Sequence, residues 1–186
     1  MPVEISIRHA VQDDWPAVHE IFLQDHVLAG TQRLPYSSPH AMRERMAAKP
    51  GLIQLLAEVD VDGKPKVAGF AELVTYPDHP RHHHVAELNM IAVHRDCEGK
   101  GVGRRLMAAV TDLADNWLQI RRLQLVAWTH NQHALRLYEG FGFVLEGVMP
   151  EFAFYKGRYI DGQMMGRLRP NGGNADAPLP SAKTSV

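Results

Sequence analysis

The chain has 186 residues, which is enough for one domain with a substantial hydrophobic core. Hydrophobic residues make up 45% and charged residues 22%, and the formal net charge of −1 gives no indication of a nucleic-acid or membrane partner. The single cysteine, Cys97, excludes an intrachain disulfide, and no apolar run reaches transmembrane length. Because the first ten residues also lack an apolar signal-peptide core, we expect a cytoplasmic protein.

Hydrophobic periodicity predicts one α/β domain over residues 1–169. In chain order we expect a strand at 3–9, helices at 13–27 and from Pro39 onward, strands on either side of Asp62-Gly63, a strand at 84–93, a helix at 102–119, a strand at 122–128, a helix at 131–141, and two strands around Lys156-Gly157. The small, polar and proline-rich segment 170–186 predicts a disordered tail.

A glycine-rich loop joins the strand at 84–93 to the helix at 102–119. Its glycines alternate at Gly99, Gly101 and Gly103, next to the basic residues Lys100 and Arg104. Because the first amides of a helix are unpaired and favour negative charge, this loop predicts a phosphate site. A Walker loop is excluded, since neither Ser nor Thr follows the Gly-Lys pair, and so is a dinucleotide fingerprint, since position 104 is not glycine. A glycine-rich turn without a ligand is the alternative.

A second motif follows in the segment NQHALRLYEGFGF. Helical periodicity puts Asn131 and Tyr138 on one face, two turns apart, with the small Ala134 between them. The strand AELNMIAV, the loop EGKGVGRRL and this helix occur in the order and spacing of the GNAT N-acetyltransferase superfamily, which the chain resembles over 5–168. The resemblance implies an α/β fold with a mixed, mostly antiparallel sheet that is splayed in the middle and has helices on both faces.

The resemblance also implies acetyl-coenzyme A (acetyl-CoA) as the cofactor. The diphosphate would bind the amides of the glycine-rich loop, and the pantetheine arm would pair with the strand that precedes it. The implied cofactor residues are Ile91, Ala92, Val93, Gly99, Lys100, Gly101, Val102, Gly103, Arg104 and Asn131. Glu98 stands where the family usually has Gln or Arg, so we expect this carboxylate to point away from the diphosphate while Lys100 binds it. Arg121 and Arg122 either meet the 3′-phosphate or form a solvated pair.

Acetyl transfer to an amine requires an acceptor for the amine proton and a donor for the leaving sulfur. The family often places a carboxylate on the strand before the phosphate loop, and Glu87 is the matching residue. Strand alternation predicts that Glu87 shares a face with Asn89 and Ile91. Tyr138 matches the general-acid tyrosine of the family. The alternatives are His84 as the base, a Glu87 that faces solvent, and a Tyr138 that only packs against the pantetheine.

Two other features are assigned no catalytic role. Three consecutive histidines, His82 to His84, cannot converge on one ion from an extended strand, and no Cys or Glu at zinc-site spacing accompanies them. We therefore expect no metal site. Cys97 has no obvious base near it in the sequence, and direct transfer from acetyl-CoA needs no acyl-enzyme.

The amine substrate is indicated by the loop GTQRLPYS and the last pair of strands. Arg33, Tyr36 and Phe152 are the residues expected to bind it, in a mainly apolar and aromatic pocket with one cation nearby. The segment YKGRYIDGQMMGRL resembles the bacterial GNAT branch that acetylates free amino acids and analogues such as phosphinothricin. This implies an apolar L-amino acid as substrate and a homodimer through the last strands. A protein or peptide acetyltransferase and a CoA-binding sensor without turnover stay open.

Overall fold

The computed structural model describes residues 4–169, so the predicted tail at 170–186 lies outside the described residues. Its centre is a seven-stranded sheet with the order β1-β2-β3-β4-β5-β7-β6. Every neighbouring pair is antiparallel except β4 and β5, which are parallel. The strands are β1 (Ile5–His9), β2 (Leu52–Val61), β3 (Lys64–Thr75), β4 (Val85–Val93), β5 (Arg122–Trp128), β6 (Val144–Tyr155) and β7 (Arg158–Leu168).

Helices cover both faces of this sheet. They are α1 (Trp15–Phe22), α2 (Asp25–Ala29), α3 (Pro39–Arg45), α4 (Val102–Asp112) and α5 (Gln132–Glu139). The first core lies under α4 and α5 and includes Leu106 and Phe143, whereas the second lies under α1 to α3 and includes Phe22 and Phe70. The expected two-faced arrangement is therefore confirmed. None of the helices in the range 4–169 combines the length and apolar character needed to span a membrane.

The sheet opens between its two parallel strands. β4 pairs with β5 only from Val85 to Glu87, opposite Arg122–Gln124. Beyond that point β4 stays paired with β3, and β5 stays paired with β7 up to Trp128. The ends of β4 and β5 therefore part, which confirms the predicted splay and leaves strand backbone accessible for a ligand.

The single helix expected at 13–27 is wrong in its extent. α1 ends at Phe22 and α2 begins at Asp25, because Gln24 has an extended backbone with φ −73° and ψ 136°. The side-chain carbonyl of Gln24 accepts a hydrogen bond from the amide of Arg95 at 2.9 Å. This bond ties the break to the turn that precedes the glycine-rich loop.

The regular alternation expected along β4 is also wrong. A bulge lies at Asn89, because Leu88 pairs with Leu73 while Met90 pairs with the adjacent Glu72. As a result, Leu88 and Ile91 both contribute to the core under α4 and α5, and Met90 contributes to the opposite core. Glu87 alternates with the buried Leu88, so it faces the α1–α3 side and does not share a face with Ile91.

Candidate active site

The glycine-rich loop leaves open space at the start of α4. Gly99 and Gly101 have φ values of +71° and +88°, in the left-handed region that favours glycine. A Cβ atom at Gly99 would meet nothing within 4 Å, and one at Gly101 would meet only the Ile5 side chain, at 4.0 Å. Gly101 is the N-cap of α4, and no side chain of residues 4–169 caps the helix. The first amides of α4 are thus left for a ligand, and the loop fits a diphosphate.

A cavity of about 750 Å³ extends from this loop towards the opening between β4 and β5. We call it the cofactor cleft. Asn131 lines it and also caps α5, because its side-chain oxygen accepts a hydrogen bond from the Ala134 amide at 3.2 Å. The other sequence-predicted residues that line the cleft are Ile91, Ala92, Val93, Gly99, Gly101, Val102, Gly103 and Arg104.

Glu98 and Lys100 differ in their position relative to the cofactor cleft, and their expected roles towards the diphosphate stay predictions. Glu98 lines the cofactor cleft, and its carboxylate lies 3.4 Å from the Nε2 atom of His26. Lys100 is exposed and is not among the residues that line the cleft. The expectation for Glu98 rested only on the repulsion between a carboxylate and a diphosphate. Nothing in the sequence indicates that α2 brings a histidine next to Glu98.

A second cavity of about 710 Å³ lies on the other side of the opening, and we call it the substrate cavity. The sequence-predicted residues Glu87, Tyr138, Arg33, Tyr36 and Phe152 all line it. The two cavities share the lining residues Gly30, Thr31, Ile91 and Tyr138. Tyr138 and the bulged end of β4 therefore lie where the two spaces meet, which is the position required of groups that act on a reacting bond.

Comparisons with known proteins agree with this geometry. The acetyltransferase (GNAT) family model matches residues 15–143. The chain belongs to the GNAT family. It is 34% identical over 166 residues to the L-amino acid N-acetyltransferase AaaT of Escherichia coli, covering 89% of this chain and 99% of that relative. It is 30% identical over 168 residues to the phosphinothricin N-acetyltransferase of Alcaligenes faecalis, covering 87% and 81%.

A solved structure of a spermidine N-acetyltransferase from Vibrio cholerae, in complex with CoA and spermine, has the same fold as this GNAT protein. Its TM-score is 0.76 at 24% identity, over 89% of this chain and 95% of that one. The predicted fold, the N-acetyltransferase class and acetyl-CoA as the cofactor are thus confirmed.

In this acetyltransferase Glu87 has a direct neighbour that the sequence did not reveal. The hydroxyl of Tyr76 donates a hydrogen bond to the Glu87 carboxylate at 3.3 Å. Burial and the charge of Glu87 raise the pKa of Tyr76, so its hydroxyl stays protonated as a donor. His84, the alternative base, is exposed and lines neither cavity. The geometry therefore favours Glu87 over His84 as the proton acceptor.

Tyr138 is buried, with 7% of its surface exposed. Burial raises the pKa of Tyr138, which keeps the phenol protonated at neutral pH. An ordinary thiol has a pKa of about 8.5, so complete proton transfer from this phenol to a thiolate is uphill. The hydroxyl is consequently suited to stabilise a developing thiolate by hydrogen bonding rather than by transferring its proton fully.

Arg33 lines the substrate cavity, and no carboxylate of residues 4–169 forms an ion pair with it. Its guanidinium packs on the Phe22 ring at 4.1 Å from the centroid, and its buried Nε atom has no hydrogen-bond partner in the described part of the chain. The nearby carboxylate of Glu72 is instead bonded to Arg45. Burial, together with the charge of Arg45, lowers the pKa of Arg33 to about 10. An anion bound here would compensate the uncovered positive charge.

The sequence analysis did not predict the ion pair between Arg45, which lines the substrate cavity, and Glu72. Glu72 is 2% exposed and also accepts hydrogen bonds from the side chains of Gln54 and Asn89. These four residues come from α3, β2, β3 and the bulge of β4, and no short motif connects them. The available signal was a glutamate within a mainly apolar predicted strand, but the sequence does not show which residues of β3 face inward.

The two aromatic residues predicted for the substrate lie at the rim of the cavity. Tyr36 is 96% exposed and has a φ of 64°, a conformation that is uncommon for a residue with a side chain. Phe152 is 36% exposed and packs against β7, since a Cβ atom at Gly162 would come within 2.9 Å of its ring. Phe152 is therefore supported by the sheet, whereas Tyr36 extends into solvent.

The remaining candidates lie in other surroundings. Arg122 forms an ion pair with Glu146 through two hydrogen bonds, and Arg121 donates a hydrogen bond to the carbonyl of Arg169. The two arginines are therefore not a solvated pair. Neither of them lines the cofactor cleft. Within residues 4–169 no group of three His, Cys, Asp or Glu side chains is arranged to hold a metal ion. Cys97 is 4% exposed, at the base of the cofactor cleft.

Proposed function

We propose that this acetyltransferase transfers the acetyl group of acetyl-CoA to the α-amine of an apolar L-amino acid. The single observation that carries the proposal is the uncompensated Arg33 in the cavity that adjoins the cofactor cleft. In an α-amino acid the carboxylate carbon is two bonds from the amine nitrogen, so an arginine that binds the carboxylate also restricts where the amine can lie. Guanidinium groups bind carboxylates through two parallel hydrogen bonds.

The charge of the substrate cavity also bears on the competing substrates. Arg33 and Arg45 both line it, and Glu72 compensates only one of them. Glu87 adds a carboxylate to the lining, but a polyamine has no carboxylate that could pair with Arg33, so Arg33 favours an amino acid over a polyamine. The cavity lining includes Met90, Val126 and Trp128, which offer an apolar surface for a side chain. Burying a Met-sized or Phe-sized side chain contributes about 1.5–3 kcal/mol relative to leaving it in water.

The proposed reaction is a direct attack. Acetyl-CoA supplies the activated acetyl group; a C–N bond forms to the amine and the C–S bond breaks. Glu87 accepts the proton that the amine loses, and Tyr76 holds the Glu87 carboxylate in place through its hydroxyl. Tyr138 donates a hydrogen bond to the departing sulfur, which leaves as CoA. The products are the N-acetyl amino acid and the CoA thiolate, and the proton held by Glu87 passes through solvent to the thiolate, which restores the Glu87 carboxylate.

A turnover panel tests this function. The purified protein is incubated with acetyl-CoA and one amine at a time, at equal concentration, and the acetylated products are identified and quantified by mass spectrometry. The amines are methionine, phenylalanine, glycine, aspartate, spermidine and a short peptide. We expect N-acetylmethionine and N-acetylphenylalanine, with slower acetylation of the others. Preference for the peptide N-terminus would support a protein acetyltransferase. CoA binding without any acetylated product would support a sensor.

A homodimer through the last strands stays part of the proposal. β6 is an edge of the sheet, and it exposes large apolar side chains, as does the paired β7. Exposed apolar edge strands favour association, and a second copy of the chain could cover this one. The exposed residues are Val144, Leu145, Val148, Phe154 and Tyr159. Sedimentation of a 20.8 kDa species alone would contradict the dimer.

The cytoplasmic location also stays a prediction.

A further inference from the structure

His26 connects the glycine-rich loop to the end of β4. It lies on α2 and lines the cofactor cleft. Its Nε2 atom is 2.9 Å from the carbonyl oxygen of Val93 and 3.4 Å from a carboxylate oxygen of Glu98. Because the Val93 carbonyl is an acceptor, Nε2 carries the hydrogen that is donated to it, and the Glu98 carboxylate lies in contact beside this N–H.

The position of Glu98 is unfavourable for the binding of an anion. Among the described residues that line the cofactor cleft, Glu98 alone has a carboxylate, and it directly precedes the glycines that fit a diphosphate. A negative charge at this place repels a diphosphate. The side chain of Glu98 is 53% exposed, so it has room to move, and His26 is the contact that restrains it.

We propose that His26 is a positioning residue for the cofactor, which restrains the Glu98 carboxylate through the contact at Nε2 and so keeps the diphosphate site available. The Nε2–H group also holds the carbonyl of Val93, where the pantetheine arm of acetyl-CoA would follow the strand. His26 therefore acts through two other residues and touches none of the reacting atoms. Its imidazole is 24% exposed, and its Nδ1 atom is buried without a partner among residues 4–169.

A double-mutant cycle on CoA binding tests this proposal without relying on turnover. Calorimetry measures the CoA affinity of the wild type, His26→Ala, Glu98→Gln and the double variant. We expect His26→Ala to weaken CoA binding about tenfold, since it frees a carboxylate beside the diphosphate. Glu98→Gln should tighten binding about threefold. In the Glu98→Gln background, the loss caused by His26→Ala should shrink to about twofold, which is the part due to Val93.

Two controls separate the effect on the diphosphate from a general change. Pantetheine, which lacks the diphosphate, should respond to His26→Ala only through Val93 and should not respond to Glu98→Gln. A matched pair on α3, His40 and Glu44, has the same 3.4 Å separation but is exposed on the helix surface. Glu44→Gln should leave CoA affinity unchanged. This result would show that removing one negative charge elsewhere on the protein does not tighten CoA binding.

The outcomes decide the proposal in either direction. Equal losses from His26→Ala in both backgrounds, or a Glu98→Gln variant that binds CoA more weakly, would overturn it. If His26→Ala does not fold, then His26→Gln, which keeps an N–H at a similar reach, replaces it. His26→Gln should retain near-wild-type CoA affinity, and a tenfold loss would contradict the role of the donated hydrogen bond. Because the readout is CoA binding, these results do not depend on the identity of the amine.

Discussion

Replacing Arg33 by methionine removes one positive charge from the substrate cavity while keeping a side chain on the Phe22 ring. We choose methionine because alanine would leave a void above this buried ring, which the guanidinium approaches to 4.1 Å. Glu72 is already bonded to Arg45, so no described carboxylate loses its partner in the variant. The change therefore probes the affinity for an added anion more than the stability of the fold.

The magnitude follows from the bond that would be lost. A hydrogen bond to a charged group contributes about 1.5–3 kcal/mol, which corresponds to about 10- to 150-fold in affinity. Steady-state assays with L-methionine should show KM raised by about this factor in Arg33→Met. Methionine amide has no carboxylate, so its KM should change by less than about twofold. Arg43→Met, at an exposed arginine of α3, is the matched control and should leave both values unchanged.

The comparison of acid and amide decides the interpretation. If Arg33→Met raises KM equally for methionine and its amide, then Arg33 shapes the cavity and does not bind the carboxylate. If neither KM changes, the uncompensated charge of Arg33 has no part in substrate binding. Thermal unfolding of the variant separates either result from a loss of folded protein.

Three other predictions follow from the same geometry. Gly101→Asp should abolish CoA binding by calorimetry, since it adds a carboxylate in the loop, whereas Gly63→Asp, at a similar φ of +77° in the hairpin turn, should bind normally; weak binding by both would implicate strain alone. Tyr138→Phe should lower kcat about 100-fold with unchanged CoA affinity, and an unaltered kcat would reduce Tyr138 to a packing residue. Glu87→Gln should lower kcat much more than His84→Ala does, and the reverse order would identify His84 as the base.

Much of the fold followed from local sequence patterns. The hairpin turns at Asp62-Gly63 and Lys156-Gly157 occur as expected, with positive φ at all four residues. Ser38 caps α3 directly before Pro39, as the Ser-Pro pair indicated. Turns and helix caps depend on residues that are adjacent in the chain, so they can be predicted from the sequence. The glycine-rich loop was predictable for the same reason.

The features that the sequence did not reveal depend on contacts between distant segments. The break at Gln24 is stabilised by the amide of Arg95, 71 residues away, and the bulge at Asn89 is bonded to Glu72. The bulge reverses the faces of β4, so alternation placed Glu87 and Ile91 on one side when they lie on opposite sides. The contact between Glu98 and His26 was not predictable, because His26 lies on α2, 72 residues earlier in the chain.

A crystal structure of the protein with CoA and L-methionine bound together would show how the substrate lies. We expect the methionine carboxylate within hydrogen-bond distance of Arg33, its side chain against Met90 and Trp128, and its amine between Glu87 and the sulfur of CoA near the Tyr138 hydroxyl. An amine that points away from Tyr138, or a carboxylate that leaves Arg33 uncompensated, would contradict the proposed amino-acid acetylation.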